Sequence, residues 1–144
     1  MPTPKAVLAF NATPEPVLSR AVRHSVAAVA RDRGIDEDDI ANFLAALGEA
    51  VANAIEHANA DTPVRIEIAF DDVAMVATVI DGGTGFVVHG DGDGDALPEH
   101  QSERGRGIPI MRRCCDGFEI ASAPGAGTAV ILRRNLRAVR KDVA

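Results

Sequence analysis

Three polar residues stand one helical turn apart in an alanine-rich segment, GEAVANAIEHAN, residues 48–59. They are Glu49, Asn53 and His57, and their i, i+4, i+8 spacing places them along one face of a helix. A carboxylate and an amide one turn apart offer oxygen atoms that suit a hard cation and its water. This face carries no Lys or Arg, and small side chains flank it, at Ala45, Ala46, Ala50 and Ala52. An ordinary solvated helix face is the alternative interpretation, because such polar pairs are common.

A glycine-rich stretch further along the chain, DGGTGF at residues 81–86, follows an apolar segment. Asp81, at the end of the predicted strand, can accept a hydrogen bond from an exocyclic amine. Gly83 and Gly85 allow the backbone to approach a ligand closely or to take a positive φ. Taken alone, the stretch is also compatible with a simple glycine-rich turn.

A second glycine-rich stretch, GRGIPIM at residues 105–111, precedes a short predicted helix. The free N–H groups at the start of such a helix can receive phosphate oxygens, and Arg104 and Arg106 add positive charge there. The alternative is an ordinary helix start with solvated arginines. The stretch is neither a Walker loop nor a dinucleotide-binding fingerprint, because GxxxxGK[ST] is absent and Ile110 occupies the position of the third glycine.

Other catalytic and metal-binding patterns are excluded. DGDGD, residues 91–95, begins like a calcium-binding EF-hand loop, but Ala96 and Ser102 replace the glycine and glutamate that this loop requires. The chain has no GxSxG nucleophile elbow. The remaining histidines, at positions 24, 89 and 100, do not have the spacing of metal ligands.

The composition indicates one globular domain with an aliphatic core. The chain has 144 residues, 47% of them hydrophobic, with five Phe and no Trp or Tyr. A net charge of −6 argues against direct nucleic-acid binding, which needs a basic face. The sequence has neither an apolar run long enough to span a membrane nor the apolar segment of a secretory signal. Cys114 and Cys115 are adjacent, so we expect two reduced, structural thiols and a cytoplasmic protein.

Apolar periodicity predicts the order β-α-α-β-β-loop-α-β-β. Thr13 is predicted to cap the first helix, with Pro14 at its first position, and Asp36 to cap the second. The helices are predicted to end near Gly34, Ala58 and Cys115. The strands are predicted at residues 6–10, 64–70, 73–80, 117–122 and 128–134. Residues 81–107 hold eight of the thirteen glycines, which is typical of a functional lid or a disordered linker.

The order of these motifs resembles the Bergerat ATP-binding fold, which sensor histidine kinases, type II topoisomerases and a chaperone family share. The short single-domain form, with its Pro-Glu-Pro-like first helix, is more narrowly similar to bacterial anti-sigma factors that are also serine protein kinases. The resemblance implies a two-layer α/β sandwich, with a mostly antiparallel mixed sheet and helices on one face. It implies an ATP-binding domain at residues 1–134, with a lid at about 86–104, followed by a basic tail at 135–144.

The resemblance also implies roles for individual residues. Glu49 matches the family's general base, and Asn53 matches its magnesium ligand. Asp81 matches the acid that binds the adenine amine, and Thr128 the threonine that supports this acid. For His57, a structural hydrogen bond is expected rather than a chemical role. The other nucleotide-binding positions that the resemblance implies are Gly83, Gly85, Gly105, Arg106, Gly107 and Ile108.

The function implied by the resemblance is that of a switch protein. It binds Mg-ATP, sequesters a sigma factor and phosphorylates a serine on a small STAS-type anti-anti-sigma protein. A homodimer is expected, with partners contacting the first helix through exposed Arg20, Arg23 and Arg31. Glu103 stands where some relatives carry an arginine that faces the terminal phosphate, and Pro109 lies in the first turn of the lid-side helix. A non-catalytic ATP-binding module that only holds a protein partner is therefore the alternative.

Overall fold

The computed structural model describes residues 5–58, 61–82, 107–123 and 127–137. Within these residues the chain forms five strands and three helices, in the order that the sequence predicts. In chain order they are β1 (Ala6–Ala12), α1 (Val17–Asp32), α2 (Glu37–His57), β2 (Val64–Phe70), β3 (Ala74–Asp81), α3 (Gly107–Cys114), β4 (Gly117–Ala123) and β5 (Gly127–Asn135).

The strands form one sheet in the order β1-β2-β3-β5-β4. Each of the four neighbouring pairs is antiparallel, so the predicted α/β sandwich with a mostly antiparallel sheet is confirmed. The predicted mixed character is not found among the described strands, because none of their pairs is parallel. The strands β3 and β4 run in the same direction, but β5 lies between them and is antiparallel to both, so the two parallel strands do not pair.

One face of the sheet is buried and the other is open. Side chains alternate along β2 between buried and exposed positions, as the period-2 pattern of VRIEIAF predicts. The buried face packs against α1, α2 and α3, and its core includes the fully buried Phe43 and Phe70. The open face exposes Val7, Ile80 and Ile131. All three helices therefore cover the same side of the sheet.

The predicted start of α1 is wrong, whereas that of α2 is confirmed. Helix α1 begins at Val17, with Pro16 at its N-cap position and no capping bond from a side chain. Pro16 disfavours a helical conformation at the residue before it, so the helix cannot begin at Pro14. Asp36 caps α2 as expected, because its side chain accepts a hydrogen bond of 3.0 Å from the amide of Asp38.

A buried ion pair joins the start of α2 to the end of β5. Asp39 is fully buried, and its Oδ1 atom lies 3.0 Å from both Nε and Nη2 of Arg134. Its Oδ2 atom accepts a hydrogen bond of 2.6 Å from the amide of Arg137. Arg134 also donates to the carbonyl oxygen of Cys114, at 3.0 Å, so it holds the end of α3 as well. The sequence indicated only a favourable acid beside a helix start and gave no sign of this pairing.

The predicted basic tail begins in contact with the domain. Asn135 is the last residue of β5, and the side chain of Leu136 is buried in the core. Residues 138–144 lie outside the described residues, as does the predicted lid at 86–104. In the part of the chain that the structure describes, no helix has the length and apolarity needed to span a bilayer.

Candidate functional site

The polar row of α2 lies at the edge of the core. Glu49, Asn53 and His57 are all half-buried, while the neighbouring face of the helix packs against the sheet. Of the alanines that flank the row, Ala46 and Ala50 are both buried in the core, and Ala50 also lines a pocket. The space for a ligand beside the polar row is therefore smaller than the small side chains of the helix suggest.

A pocket lies between this row and the inner face of the sheet. It brings together three predicted site residues from distant parts of the chain: Asn53 on α2, Asp81 on β3 and Thr128 on β5. Apolar side chains of three adjacent strands complete its sheet side. The full lining is Ala50, Asn53, Ala54, His57, Val79, Asp81, Ile120, Thr128 and Val130.

The Asn53 side chain has an unsatisfied acceptor. Its Oδ1 atom is buried and accepts no hydrogen bond from any residue that the structure describes. A buried polar atom in this state is costly unless a ligand or water satisfies it. This is the arrangement expected of an atom that awaits a cation or a bound water.

The start of α3 reaches the same place. A Cβ atom on Gly107 would lie 3.4 Å from both Nδ2 of Asn53 and Oε2 of Glu49. Gly107 is the first residue of α3, so the unpaired amides of that helix begin beside the carboxylate and the amide of α2. The structure thus brings together three of the predicted residues, two from α2 and one from α3. Helix N-termini attract phosphate oxygens.

Asp81 and Thr128 lie side by side on the inner face of the sheet. They are paired in register across β3 and β5, and they are 6% and 8% exposed. The hydroxyl of Ser122 on β4 lies 2.7 Å from that of Thr128. Ser122 was not among the predicted site residues. The alternation of GFEIASA along β4 could have indicated it, because it places Ser122 opposite Thr128 once the hairpin register is known.

The remaining predicted residues divide into two groups. Ile108 is 3% exposed and belongs to the hydrophobic core, so only its backbone can serve a ligand. The others lie outside the described residues: Gly83, Gly85, Gly105 and Arg106. Their roles stay predictions.

Cys115 provides no nucleophile at this site. Cys114 is the last residue of α3, Cys115 follows it, and both thiols are free. Burial, and secondarily the neighbouring Cys114 thiol, raises the pKa of Cys115 to about 12. Cys115 is therefore a protonated thiol at neutral pH, and thiols in this form are poor nucleophiles.

The donor atoms suit a magnesium ion that is shared with a phosphate. Magnesium is usually held through one or two protein oxygens together with substrate phosphates and water. Across the described part of the chain, no cluster of three or more His, Cys, Asp or Glu side chains is arranged to hold a metal ion. The unsatisfied Oδ1 of Asn53 fits a site in which the protein shares the magnesium ion with a phosphate. It is a single neutral oxygen beside a helix start that attracts phosphate.

The sequence matches a known domain along most of its length. The profile of the histidine kinase-like ATPase domain covers residues 10–134, from β1 to β5. The chain belongs to this family. Within the family, the resemblance to anti-sigma factors that are serine kinases is confirmed by curated relatives.

Two of these relatives have roles in their names. An anti-sigma F factor from Pasteuria penetrans is 31% identical over 112 residues, which is 72% of this chain and 73% of the relative. The serine-protein kinase RsbW from Bacillus licheniformis is 29% identical over 130 residues, which is 84% of this chain and 80% of the relative. This histidine kinase-like ATPase domain therefore spans most of the length of both proteins.

Solved structures confirm the fold. The RsbU and RsbW domains of a Mycobacterium tuberculosis protein match with a TM-score of 0.68 at 23% identity, covering 93% of this chain and 33% of that longer chain. A chain of the SiaB–SiaC complex from Pseudomonas aeruginosa matches with a TM-score of 0.65 at 15% identity, covering 88% of each. At these identities the likeness shows a shared architecture.

Proposed function

We propose that this protein is an anti-sigma factor and serine protein kinase. It binds Mg-ATP, sequesters a sigma factor, and phosphorylates a serine on a small STAS-type antagonist in a partner-switching system. The observation that carries the proposal is the buried, unsatisfied Oδ1 of Asn53, which lies beside Glu49 and the start of α3 at the rim of the Asp81 pocket. The relatives named anti-sigma F factor and serine-protein kinase support the assignment.

In this proposal, different residues of the described part of the chain contact the adenine and the phosphates of the nucleotide. Asp81 and Thr128 hold the adenine edge, with the apolar side chains of Val79 and Val130 against the ring. Asn53 and the first amides of α3 hold the phosphates at the other end. Magnesium, when bound, neutralises charge on the phosphate oxygens.

Glu49 has the position of a general base. Its carboxylate lies beside the start of α3, where the terminal phosphate would be held, and it is half-buried rather than fully solvated. A serine hydroxyl that enters here would give its proton to Glu49 as its oxygen forms a bond to the terminal phosphorus of ATP. The bond from that phosphorus to the bridging oxygen would break, and ADP would leave. Phosphoryl transfer needs little more from a protein than positioning, charge neutralisation and such a base.

The calorimetric test of nucleotide binding uses Asn53. We expect Mg-ATP and Mg-ADP to bind the wild-type protein with micromolar affinity or better. Asn53→Ala removes a ligand of the metal and the phosphates, so we expect affinity to fall about 10- to 100-fold, the effect of losing a charge-assisted contact. Chelating magnesium with EDTA should lower the nucleotide affinity of the wild type far more than that of the variant.

The matched control for this test is Asn42→Ala, three turns earlier on the same helix, whose side chain donates a hydrogen bond to the carbonyl oxygen of Asp38. It should bind like the wild type. Isothermal titration that shows no heat for any adenine nucleotide would refute the proposed nucleotide site. Equal affinities for wild type and Asn53→Ala would remove Asn53 from it.

We also propose that a cytoplasmic homodimer is the active form, and that it contacts no nucleic acid directly. The open face of the sheet supports the dimer, because it leaves Val7, Ile80 and Ile131 exposed. Such exposed apolar side chains on one face often mark a protein interface. Light scattering gives the oligomeric state.

The partner surface is proposed to include α1. Arg20, Arg23 and Arg31 are exposed on this helix, as predicted, and Arg31 pairs with Glu37 at 3.1 Å. We expect the double change Arg20→Glu, Arg23→Glu to lower affinity for the protein partner at least about 10-fold, mainly through slower association.

Surface plasmon resonance measures the association rate and the affinity at two salt concentrations. Higher salt should slow the association of the wild-type protein with its partner. The control is Arg113→Glu on α3, an exposed arginine on another helix. Unchanged partner affinity in the double variant would exclude this part of α1 from the interface.

A further inference from the structure

Two rows of side chains cross the inner face of the sheet beside the pocket. The register aligns Asp81 on β3 with Thr128 on β5, and Thr128 with Ser122 on β4. A second row lies two residues away along each strand and is aligned in the same way. It is apolar and consists of Val79, Val130 and Ile120. Every residue of the two rows except Ser122 lines the pocket. Ser122 is thus the third member of a polar row, and the other two members, Asp81 and Thr128, face the proposed position of adenine.

The contacts of Ser122 with Gly127 and Thr128 can both be hydrogen bonds in only one orientation of the Thr128 hydroxyl. Ser122 Oγ donates to the carbonyl oxygen of Gly127 at 3.2 Å, and it lies 2.7 Å from Thr128 Oγ1. A serine hydroxyl has one hydrogen, so when that hydrogen is given to Gly127, Ser122 accepts the hydrogen of Thr128. Thr128 Oγ1 then presents only lone pairs to the pocket.

The acceptor that fixes this direction is itself held in place. Gly127 has a φ of +78°, and a Cβ on it would overlap the carbonyl oxygen of Asp81. A side chain at position 127 is therefore excluded both by the backbone conformation and by the close approach of the two strands. The backbone of Gly127 therefore lies in close contact with that of Asp81, the acid proposed to bind adenine.

We infer that Ser122 is a specificity-determining positioning residue that holds Thr128 as a hydrogen-bond acceptor beside Asp81. This inference rests on the proposed nucleotide-binding function. The pocket then offers two acceptors, a carboxylate and a hydroxyl oxygen, to the edge of the base. They match the two hydrogens of a 6-amino group on the purine, which are donors. A 6-oxo purine places the lone pairs of its O6 atom where the hydrogens of the amine would be, and unpaired buried polar groups discriminate strongly.

The test compares nucleotides that differ at one position of the base. Wild type, Ser122→Val and Ser122→Thr are titrated with magnesium complexes of ATP and of ITP, which has a 6-oxo group. Valine and threonine have the same shape and differ in the hydroxyl. We expect the wild type and Ser122→Thr to prefer ATP, and Ser122→Val to lose about 10-fold of that preference, the value of one hydrogen bond.

A purely structural role would weaken both nucleotides equally and leave their ratio unchanged, which would overturn the inference. In a Thr128→Val background, Ser122→Val should change the ratio no further, because Ser122 acts through Thr128. An additional loss there would also overturn it. If Ser122→Val does not fold, Ser122→Ala makes the same comparison.

Failure of the inference and failure of the proposed function give different results. A wild type that binds neither nucleotide refutes both. A wild type that binds ATP, with the same ATP-to-ITP ratio in Ser122→Val, refutes only the role of Ser122. Thr13→Val, at an exposed residue in the segment between β1 and α1, is the control and should leave the ratio unchanged.

Discussion

Replacing Glu49 with glutamine is expected to slow phosphotransfer to the serine of the partner by about 10²–10⁴-fold, the usual contribution of a positioned general base. Nucleotide affinity should remain nearly unchanged, because glutamine keeps the shape of the side chain that packs beside Gly107. The effect therefore belongs to the chemical step. Single-turnover transfer from labelled ATP to the purified antagonist, together with calorimetry, measures both quantities.

The matched control is Glu56→Gln, an exposed acid two turns further along the same helix. Its transfer rate should equal that of the wild type. Equal rates for wild type and Glu49→Gln would exclude Glu49 as the base. No phosphate on the partner even with wild-type protein would favour a binding module that transfers nothing.

Removing the carboxylate of Asp39 is expected to cost about 3–5 kcal/mol of stability, the usual effect of breaking a buried ion pair. Asp39→Ala leaves the guanidinium of Arg134, whose side chain is only 12% exposed, without its carboxylate. It also removes the acceptor of the Arg137 amide. Urea unfolding followed by circular dichroism measures the loss, provided that the dependence on urea concentration keeps the same slope.

The control lies one residue earlier in the same helix. Asp38 pairs with Arg137 at 2.9 Å, but its side chain is 66% exposed, so Asp38→Ala should cost less than about 1 kcal/mol. A loss that small for Asp39→Ala would contradict the argument. Replacing both partners, with Asp39→Leu and Arg134→Met, should restore most of the stability, because no buried charge is then left unpaired.

Some elements of the fold follow from short-range rules. The β2–β3 hairpin is predictable because alternation along the chain encodes which side chains are buried. The start of α2 is predictable because Asp36 bonds an amide two residues away. The start of α1 was predicted wrongly, because Thr13 is a good capping residue by type but Pro16 restricts the backbone in front of the helix.

In the candidate site, too, some features follow from short-range rules and others do not. Spacing alone places Glu49, Asn53 and His57 on one helix face, because the helical repeat is fixed by the backbone. The motif order then indicated the ATPase family, which the profile match from residue 10 to 134 confirms. The sequence by itself therefore determined the types of element, their order and the family to which the chain belongs.

Only the tertiary structure decided which distant groups meet. The insertion of β5 between β3 and β4 aligns Asp81, Thr128 and Ser122, and no local pattern encodes that strand order. The packing of α3 against α2 brings Gly107 to Asn53 and leaves a buried oxygen unsatisfied. The physical reason is that register and burial depend on contacts between segments far apart in the chain, whereas helix and strand patterns depend on neighbours.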